Sequence, residues 1–435
     1  MKKRISMALA MATAATMATV SVPAMAADDV NITIFNSKME VQSQFEEKAA
    51  EYSEETGVGV EVYYSSDTVA AHLATKYSAN DPYTLAMVDA KDIYSLAKDH
   101  AIDLSDQDWV KETDYAIGID DQINGFPTCV EARGLIYNAD AIEAITGEKF
   151  NPEDYKTLDA FKELLETLKK GGMETPTGIM KEDWSLEAHF LTQVYEEQPD
   201  VEEFISELHE GKADLINNEK FNSLMDFFDV MMENNYAKDS AIAAERETTE
   251  QKLAEGEIAF MFGGNWDWSV INAYDYSENM GMMPVPQNTD DGSNEKLVGG
   301  GSKYFFIDNS VSEDLQKQAE DWLNWLVNTD DGKDFLVNTC ALVPAFKTNT
   351  LDVSDPLGKS VKSYADDDKL IANYNYDPDD HYSVCGASMQ KYLAGEIDRA
   401  ELAKEVETYW QGATLADPAV AGGAAAGTEA ATEAE

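Results

Sequence analysis

The chain has 435 residues, 44% hydrophobic and 10% aromatic, which is enough to fold and too long for one ordinary core, so two domains are expected. Its 32 Lys+Arg against 83 Asp+Glu give a formal charge of −51, which excludes nucleic-acid binding, because phosphate contacts need a basic face. That balance fits a solvated acidic surface or a site for a cationic ligand; no Asp-x-Asp-x-Asp-Gly calcium loop is present.

Residues 1–26 read as a secretory signal peptide: Lys2, Lys3 and Arg4 precede an Ala/Met-rich stretch and the small-x-small site Ala24-Met25-Ala26. No other stretch reaches about 18 consecutive apolar residues. Val30 to Phe35 alternates as a strand. Val41 to Thr56 puts Val41, Phe45, Ala49 and Tyr52 on one helical face, and Gly57 stops the helix. Val58 to Tyr64 is β-rich, and Leu85 to Asp89 follows Asn80-Asp81-Pro82 as a third strand, so the chain opens as an α/β domain.

Gly125 to Asp140 reads GFPTCVEARGLIYNAD; Pro127 is expected to break a strand, and Gly134 to Tyr137 to begin another. Glu131 lies between them in an apolar setting and must find donors, either ligand hydroxyls or nearby Arg133. Thr157 caps a helix with Leu158, Phe161, Leu164, Leu165 and Leu168 inward, stopped by Gly171-Gly172. Gly256 to Ile271 reads GEIAFMFGGNWDWSVI, a buried strand running into two glycines and two tryptophans. An indole at a strand end can stack on the C–H face of a sugar ring, and glycine allows the close approach; packing of both tryptophans into the core is the alternative.

Asn288 to Gly292 is a turn between strands, and Gly299-Gly300-Gly301 follows a strand-like Lys296-Leu297-Val298 without making a phosphate loop. Ser312 caps a helix with Leu315, Ala319, Trp322, Leu323 and Leu326 inward; Trp322 and Trp325 are read as packing. The acidic runs Asp366-Asp367-Asp368 and Asp377-Pro378-Asp379-Asp380 read as loop surface. After about Thr414 the composition collapses to Ala, Gly, Thr and Glu, a low-complexity tail over 415–435.

No catalytic or cofactor motif emerges. The five histidines, His72, His100, His189, His209 and His381, show no metal spacing, and there is no nucleophile elbow or dinucleotide fingerprint, so no cofactor and no metal are expected. The three cysteines, Cys129, Cys340 and Cys385, form no framework; small buried thiols are expected, with a Cys340–Cys385 bridge as the alternative. A glycosidase carboxylate pair would be invisible among so many acids.

Two stretches carry a resemblance. The chain resembles the family 1 extracellular solute-binding proteins of carbohydrate ABC importers, whose maltose-binding members read GETAMTINGPWAWSNI where this chain has GEIAFMFGGNWDWSVI, and YPIAVEALSLIYNKD where it has FPTCVEARGLIYNAD. The opening strand–helix and the late WLVNTDDGKDFLVNTCALVPA are similar too, so the resemblance runs from about Val30 to Gly412.

The resemblance implies an α/β, two-lobe periplasmic-binding-protein-like fold of type II. The ligand cleft lies between the lobes, and the hinge is crossed three times, near Glu131, Pro284 to Pro286 and Asp331. Residues 27–130 plus 288–332 would form the N-terminal lobe, and 131–287 plus 333–414 the C-terminal lobe. It implies no enzyme but a binding component that takes a saccharide, maltose, a maltooligosaccharide or another oligosaccharide, and delivers it to permease subunits. The protein would be a monomer, exported to a periplasm or to the cell exterior or surface. Carried over by position, Trp266 stacks on sugar and Glu131 bonds hydroxyls. Lys38, Asp89 and Trp184 lie near ligand contacts, and Trp268 is at a contact or a packing position. The segment His381 to Met389 lines the cleft, with Tyr382 in place of the tryptophan of maltose-binding members. Family members from Gram-positive bacteria usually carry a lipid-attachment cysteine at the cleavage site; Ala24-Met25-Ala26-Ala27 has none. The rival readings are a polyamine-type cation binder, an exported glycan-cleaving enzyme and a surface-adhesion protein.

Overall fold

The computed structural model describes residues 31–378 and 380–415. The expected signal peptide, the tail from 416 onward and Asp379 lie outside the described residues.

One mixed sheet organises the chain. Its strands are β1 (Ile32–Asn36), β2 (Val60–Tyr63), β3 (Leu85–Val88), β4 (Phe126–Asn138), β5 (Thr177–Gly178), β6 (Phe260–Gly264), β7 (Met280–Met283), β8 (Leu297–Ile307) and β9 (Leu370–Ile371). Their order is β2-β1-β3-β8-β4-β6-β5, with β7 also on β4 and β9 on β8. β1 runs parallel to β2 and β3, a pairing that needs crossover connections, which the intervening helices supply. β8 is antiparallel to both β3 and β4.

The helices follow their apolar stripes. Gln42–Thr56 buries Phe45, Ala49 and Tyr52, and Gly57 closes it at φ 77°, a conformation only glycine adopts cheaply. Tyr52 meets Trp322 edge-on at 4.8 Å, and Trp322 stacks on Trp325 at 5.5 Å, so these tryptophans are packing residues. Thr157 and Ser312 accept the backbone N–H of Ala160 and Leu315, capping Leu158–Lys170 and Glu313–Asn328.

β4 is the structural surprise. It is one strand of 13 residues, not two broken at Pro127. Pro127 is its second residue, opposite Tyr304 of β8, where no strand lies on the other side among the described residues; a proline there interrupts no central ladder. The first half of β4 pairs with β8, the second half with β6 and β7. The change of partners falls at Glu131 to Arg133. The glycines expected to follow a strand lie inside β8. A Cβ on Gly299 would sit 2.4 Å from the Glu131 carbonyl oxygen, so the glycine lets β8 cross close over β4.

One core gathers β1, β3, one face of β4 from Phe126 to Ile136, Met261 of β6, Met280 and Met282 of β7 and the helix Glu313–Asn328; a second gathers Leu158–Lys170, Glu219–Glu233 and the last two helices, His381–Leu393 and Arg399–Gly412. Phe335 and Phe346 belong to the first, packed on Phe45 at 5.0 Å and on Phe126 at 5.0 Å. Cys340 is buried in the first core and Cys385 in the second; they and Cys129 are free thiols, with burial raising the pKa of each. No helix among the described residues is long and apolar enough to cross a membrane.

Candidate functional site

A cavity of about 560 Å³ opens where β4 changes partners. That volume lies in the range of small-molecule sites, about 300–1,000 Å³. Lys38, Asp89, Glu131, Trp184 and Trp266, widely separated in sequence, all line it.

One wall is aromatic. β6 ends at Gly264, and the next turn carries Trp266. A Cβ on Gly264 would stand 2.3 Å from the indole carbons Cη2 and Cζ3, so the ring folds back over the strand end and only glycine fits beneath it. The turn is locked by Asp267, which accepts the Gly264 N–H at 2.9 Å and pairs with Arg246. Arg246 in turn lies over the Trp184 ring, 4.6 Å from its centroid. His189 fills the gap between the tryptophans, 5.2 Å from Trp184 and 4.6 Å from Trp266. Burial, and then the cations Arg133 and Arg246, push the His189 pKa far down, so its ring is neutral and extends the apolar surface. Trp266 Nε1 and His189 Nδ1 are buried with no hydrogen-bond partner among the described residues, an unmet polar demand in this wall.

The facing wall is charged and internally paired. Lys38, 6% exposed, donates to Glu131 at 2.6 Å and to Glu40 at 3.3 Å. Burial opposes the Lys38 charge, but Glu131 and Glu40 raise its pKa overall. Burial likewise opposes the Glu131 carboxylate, but Lys38 and the Ser302 hydroxyl hold its pKa below the usual range. Lys303, with φ of 51°, pairs with Asp89 at 2.7 Å. Asp89 follows β3 and caps the helix Ala90–His100, with its own N–H held by Asp92 at 3.1 Å.

Arg133 is the keystone of the floor. It stands two residues after Glu131 on the same face of β4, yet pairs with Glu196 rather than with Glu131. It also donates to the His189 carbonyl at 2.5 Å, Asn373 Oδ1 at 2.6 Å and Thr192 Oγ1 at 3.0 Å. Glu196 accepts the Tyr374 N–H at 2.9 Å. One ion pair thus fixes both the aromatic wall and the loop after β9.

Two expected positions fall elsewhere. Trp268 sits outside the cavity, edge-on to Tyr276 at 4.8 Å and against the first core. Tyr382, half-buried on the helix His381–Leu393, also lies outside it, under Lys91 at 5.7 Å; the preceding loop supplies the lining through Asn373, Tyr374, Asn375 and Asp377. Asp377, read from sequence as loop surface, is instead cavity lining, with a side chain 20% exposed. His189, Arg133, Ser302 and Lys303 join the lining without a sequence signal beyond their neighbourhood to Trp184, Glu131 and the glycine run.

Behind Asp377 lies a buried charge cluster. His381 Nδ1 is 2.6 Å from Glu187 and 3.5 Å from Asp377. Burial opposes the imidazolium, but the two carboxylates raise its pKa well above the usual value. Burial, assisted by Glu187 and Glu196 against the pull of His381, raises Asp377 to about 7. Both raised values mean that the folded state holds protons more tightly than the unfolded chain. The His381 contribution is complete below about pH 6.5 and is lost as pH rises through its folded pKa; that of Asp377 is lost between its unfolded value, about 4, and about 7. Urea unfolding should therefore show stability falling from pH 6 to pH 9, and His381→Gln should flatten that fall.

The family of bacterial extracellular solute-binding proteins matches residues 47–366, more than half of the chain, and the chain belongs to it. Similar solved structures include RafE in complex with raffinose, with 17% identity over 88% of this chain and 99% of that one at a TM-score of 0.73. A chitin oligosaccharide binding protein gives 18%, 88%, 99% and 0.70. A sugar transporter protein from Bacillus licheniformis in complex with stachyose gives 18%, 88%, 100% and 0.64. No protein of curated function matches the sequence. The fold is thus the two-lobe fold of the maltose-binding type, and the chain is a solute-binding protein, not an enzyme.

Proposed function

We propose that this protein captures a saccharide in the cavity at the β4 crossover, closes its lobes on it and delivers it to the permease of an ABC importer. The carrying observation is the aromatic wall: Trp266 laid over Gly264 beside His189 and Trp184, in one cavity with the hydrogen-bonding charged groups Lys38, Glu131, Asp89 and Lys303. A pyranose offers matching surfaces, with C–H groups on one face and hydroxyls at the edge. Trp266, Trp184, Lys38, Asp89 and Glu131 are proposed as ligand contacts, and Tyr374 is added in place of Tyr382. Similar proteins that hold raffinose and stachyose support an oligosaccharide; maltose is one member of that class.

In this reading the lobes divide as 27–130 with 288–332 against 131–287 with 333–414, except that the third crossing follows Phe346, since Phe335 and Phe346 pack on the first core. The lobes move about the crossings, and ligand shifts the balance through its preference for the closed form. Membership of an extracellular family fits export, for which residues 1–26 are the proposed signal. The test is thermal unfolding against a panel of mono- and oligosaccharides, with spermidine and calcium as controls. A saccharide at 100 times its Kd should add about 2.7 kcal/mol of stability. A shift with spermidine and none with any sugar would overturn the reading.

A further inference from the structure

Four cations line the cavity of a chain that has only 32 in all: Lys38, Lys91, Arg133 and Lys303. Such a gathering in so acidic a protein would ordinarily mark an anion site. The pairing argues otherwise. Lys38 is held by Glu131 and Glu40, Lys303 by Asp89, and Arg133 by Glu196 with further donors spent on His189, Asn373 and Thr192. Lys91 is engaged with its neighbours, its Nζ 5.7 Å from the Tyr382 ring. The carboxylates are equally occupied: Glu131 also accepts from Ser302, Glu196 from the Tyr374 N–H, and Asp377 faces His381.

Resting on the saccharide reading above, we infer that this cavity is closed to charged ligands and selects neutral sugars, rejecting uronic-acid and amino-sugar counterparts alike. A ligand carboxylate reaching the Lys38 ammonium would have to displace Glu131, 13% exposed, and leave that carboxylate in a poorly solvated site without its partner; at the more open Asp89–Lys303 pair it would set two carboxylates side by side. A ligand ammonium bonding Glu131 or Asp89 would stand beside Lys38 or Lys303, whose like charge cancels the attraction and leaves the ligand's own desolvation unrepaid. A hydroxyl breaks nothing: it donates to a spare lone pair of Glu131 or Asp89 and accepts from a spare ammonium hydrogen, adding to each pair from outside. The anions and cations of the cavity thereby act as a set of fixed hydrogen-bonding groups with no free charge to offer.

The test compares three oligosaccharides of one length and linkage: neutral, with one ring as the uronate, and with one ring as the amino sugar. Calorimetry is run at about 1 M salt, where the Debye length is near 3 Å and the protein's overall charge of −51 is screened. The neutral sugar is expected to bind at least tenfold tighter than either charged form. A charged form binding as tightly would overturn the inference while leaving the saccharide reading intact; no saccharide binding beside a spermidine signal would overturn both. Asp89→Asn supplies the second arm, because asparagine serves a helix start as well as aspartate and the change frees Lys303. It should raise uronate affinity relative to neutral sugar at least tenfold, with circular dichroism unchanged. An unchanged ratio in the folded variant would remove ion pairing as the basis of selection.

Discussion

Arg133→Ala is expected to cost about 3–5 kcal/mol of stability and to abolish measurable ligand binding, the larger effect of any single change in the cavity floor. The guanidinium and its partner are almost wholly buried, 7% and 1% exposed. Removing one member of such a pair leaves the other charged in a medium that solvates it poorly, and that loss is typically about 3–5 kcal/mol. Burial already pushes Glu196 upward, with Arg133 pulling it back, so the variant's Glu196 should take up a proton. Glu196→Gln separates the two roles. Glutamine can still accept from Arg133 and from Tyr374 N–H, and it removes an acid without removing the scaffold. By the same rule Glu196→Gln leaves the guanidinium buried without its counter-charge, so urea unfolding should show a loss there too, while the retained hydrogen bonds of Arg133 keep ligand binding measurable. The binding loss has a different cause: Arg133 carries the His189 carbonyl and Asn373, so without it the aromatic wall and the loop after β9 lose their common anchor. Equal stability of Arg133→Ala and wild type would show that Glu196 finds other partners.

That contrast also marks what could be read from the chain alone. Helix faces were legible because their signal is local: Phe45, Ala49 and Tyr52 recur at helical spacing, and Thr157 and Ser312 stand where capping hydroxyls belong. The cavity was half legible. Trp266 and Glu131 announce themselves through unusual residues at strand positions, and the structure brings them to one cavity with Lys38, Asp89 and Trp184. The partners of Glu131 were not legible. Arg133 is its near neighbour in sequence, but Lys38 and Ser302 reach it from β1's following loop and from β8, a matter of sheet order rather than of spacing. Pro127 misled because a proline's effect depends on whether the strand has neighbours on both sides, which no local pattern reports. The exchange of Tyr382 for Tyr374 has the same origin: the lining comes from the loop before the helix, and the acidic run that looked solvent-facing begins inside, with Asp377 against His381.

Trp266→Ala should weaken saccharide binding at least tenfold, about 1.4 kcal/mol or more, while the protein keeps its fold. The indole is half-buried and rests on the end of β6 rather than in either core, so its removal leaves the sheet and the helices in place. What disappears is the broad apolar face on which a sugar ring can lie, together with its share of desolvation. Trp266→Phe keeps a smaller face and should recover part of the loss. Two further variants tie the effect to geometry. Gly264→Ala retains the tryptophan but places a methyl group 2.3 Å from its ring carbons, so the ring must leave its seat and affinity should fall with Trp266 still present. Trp268→Ala does the opposite. Trp268 packs on Tyr276 and the first core outside the cavity, so its loss should lower the melting temperature and leave sugar affinity unchanged. Calorimetry on the four proteins gives the answer. Affinity lost in Trp266→Ala and Gly264→Ala but kept in Trp268→Ala places the sugar on the Trp266 face. Unchanged affinity in Trp266→Ala would move the ligand off the aromatic wall, and the acidic and basic residues opposite would then have to bind it without a stacking partner.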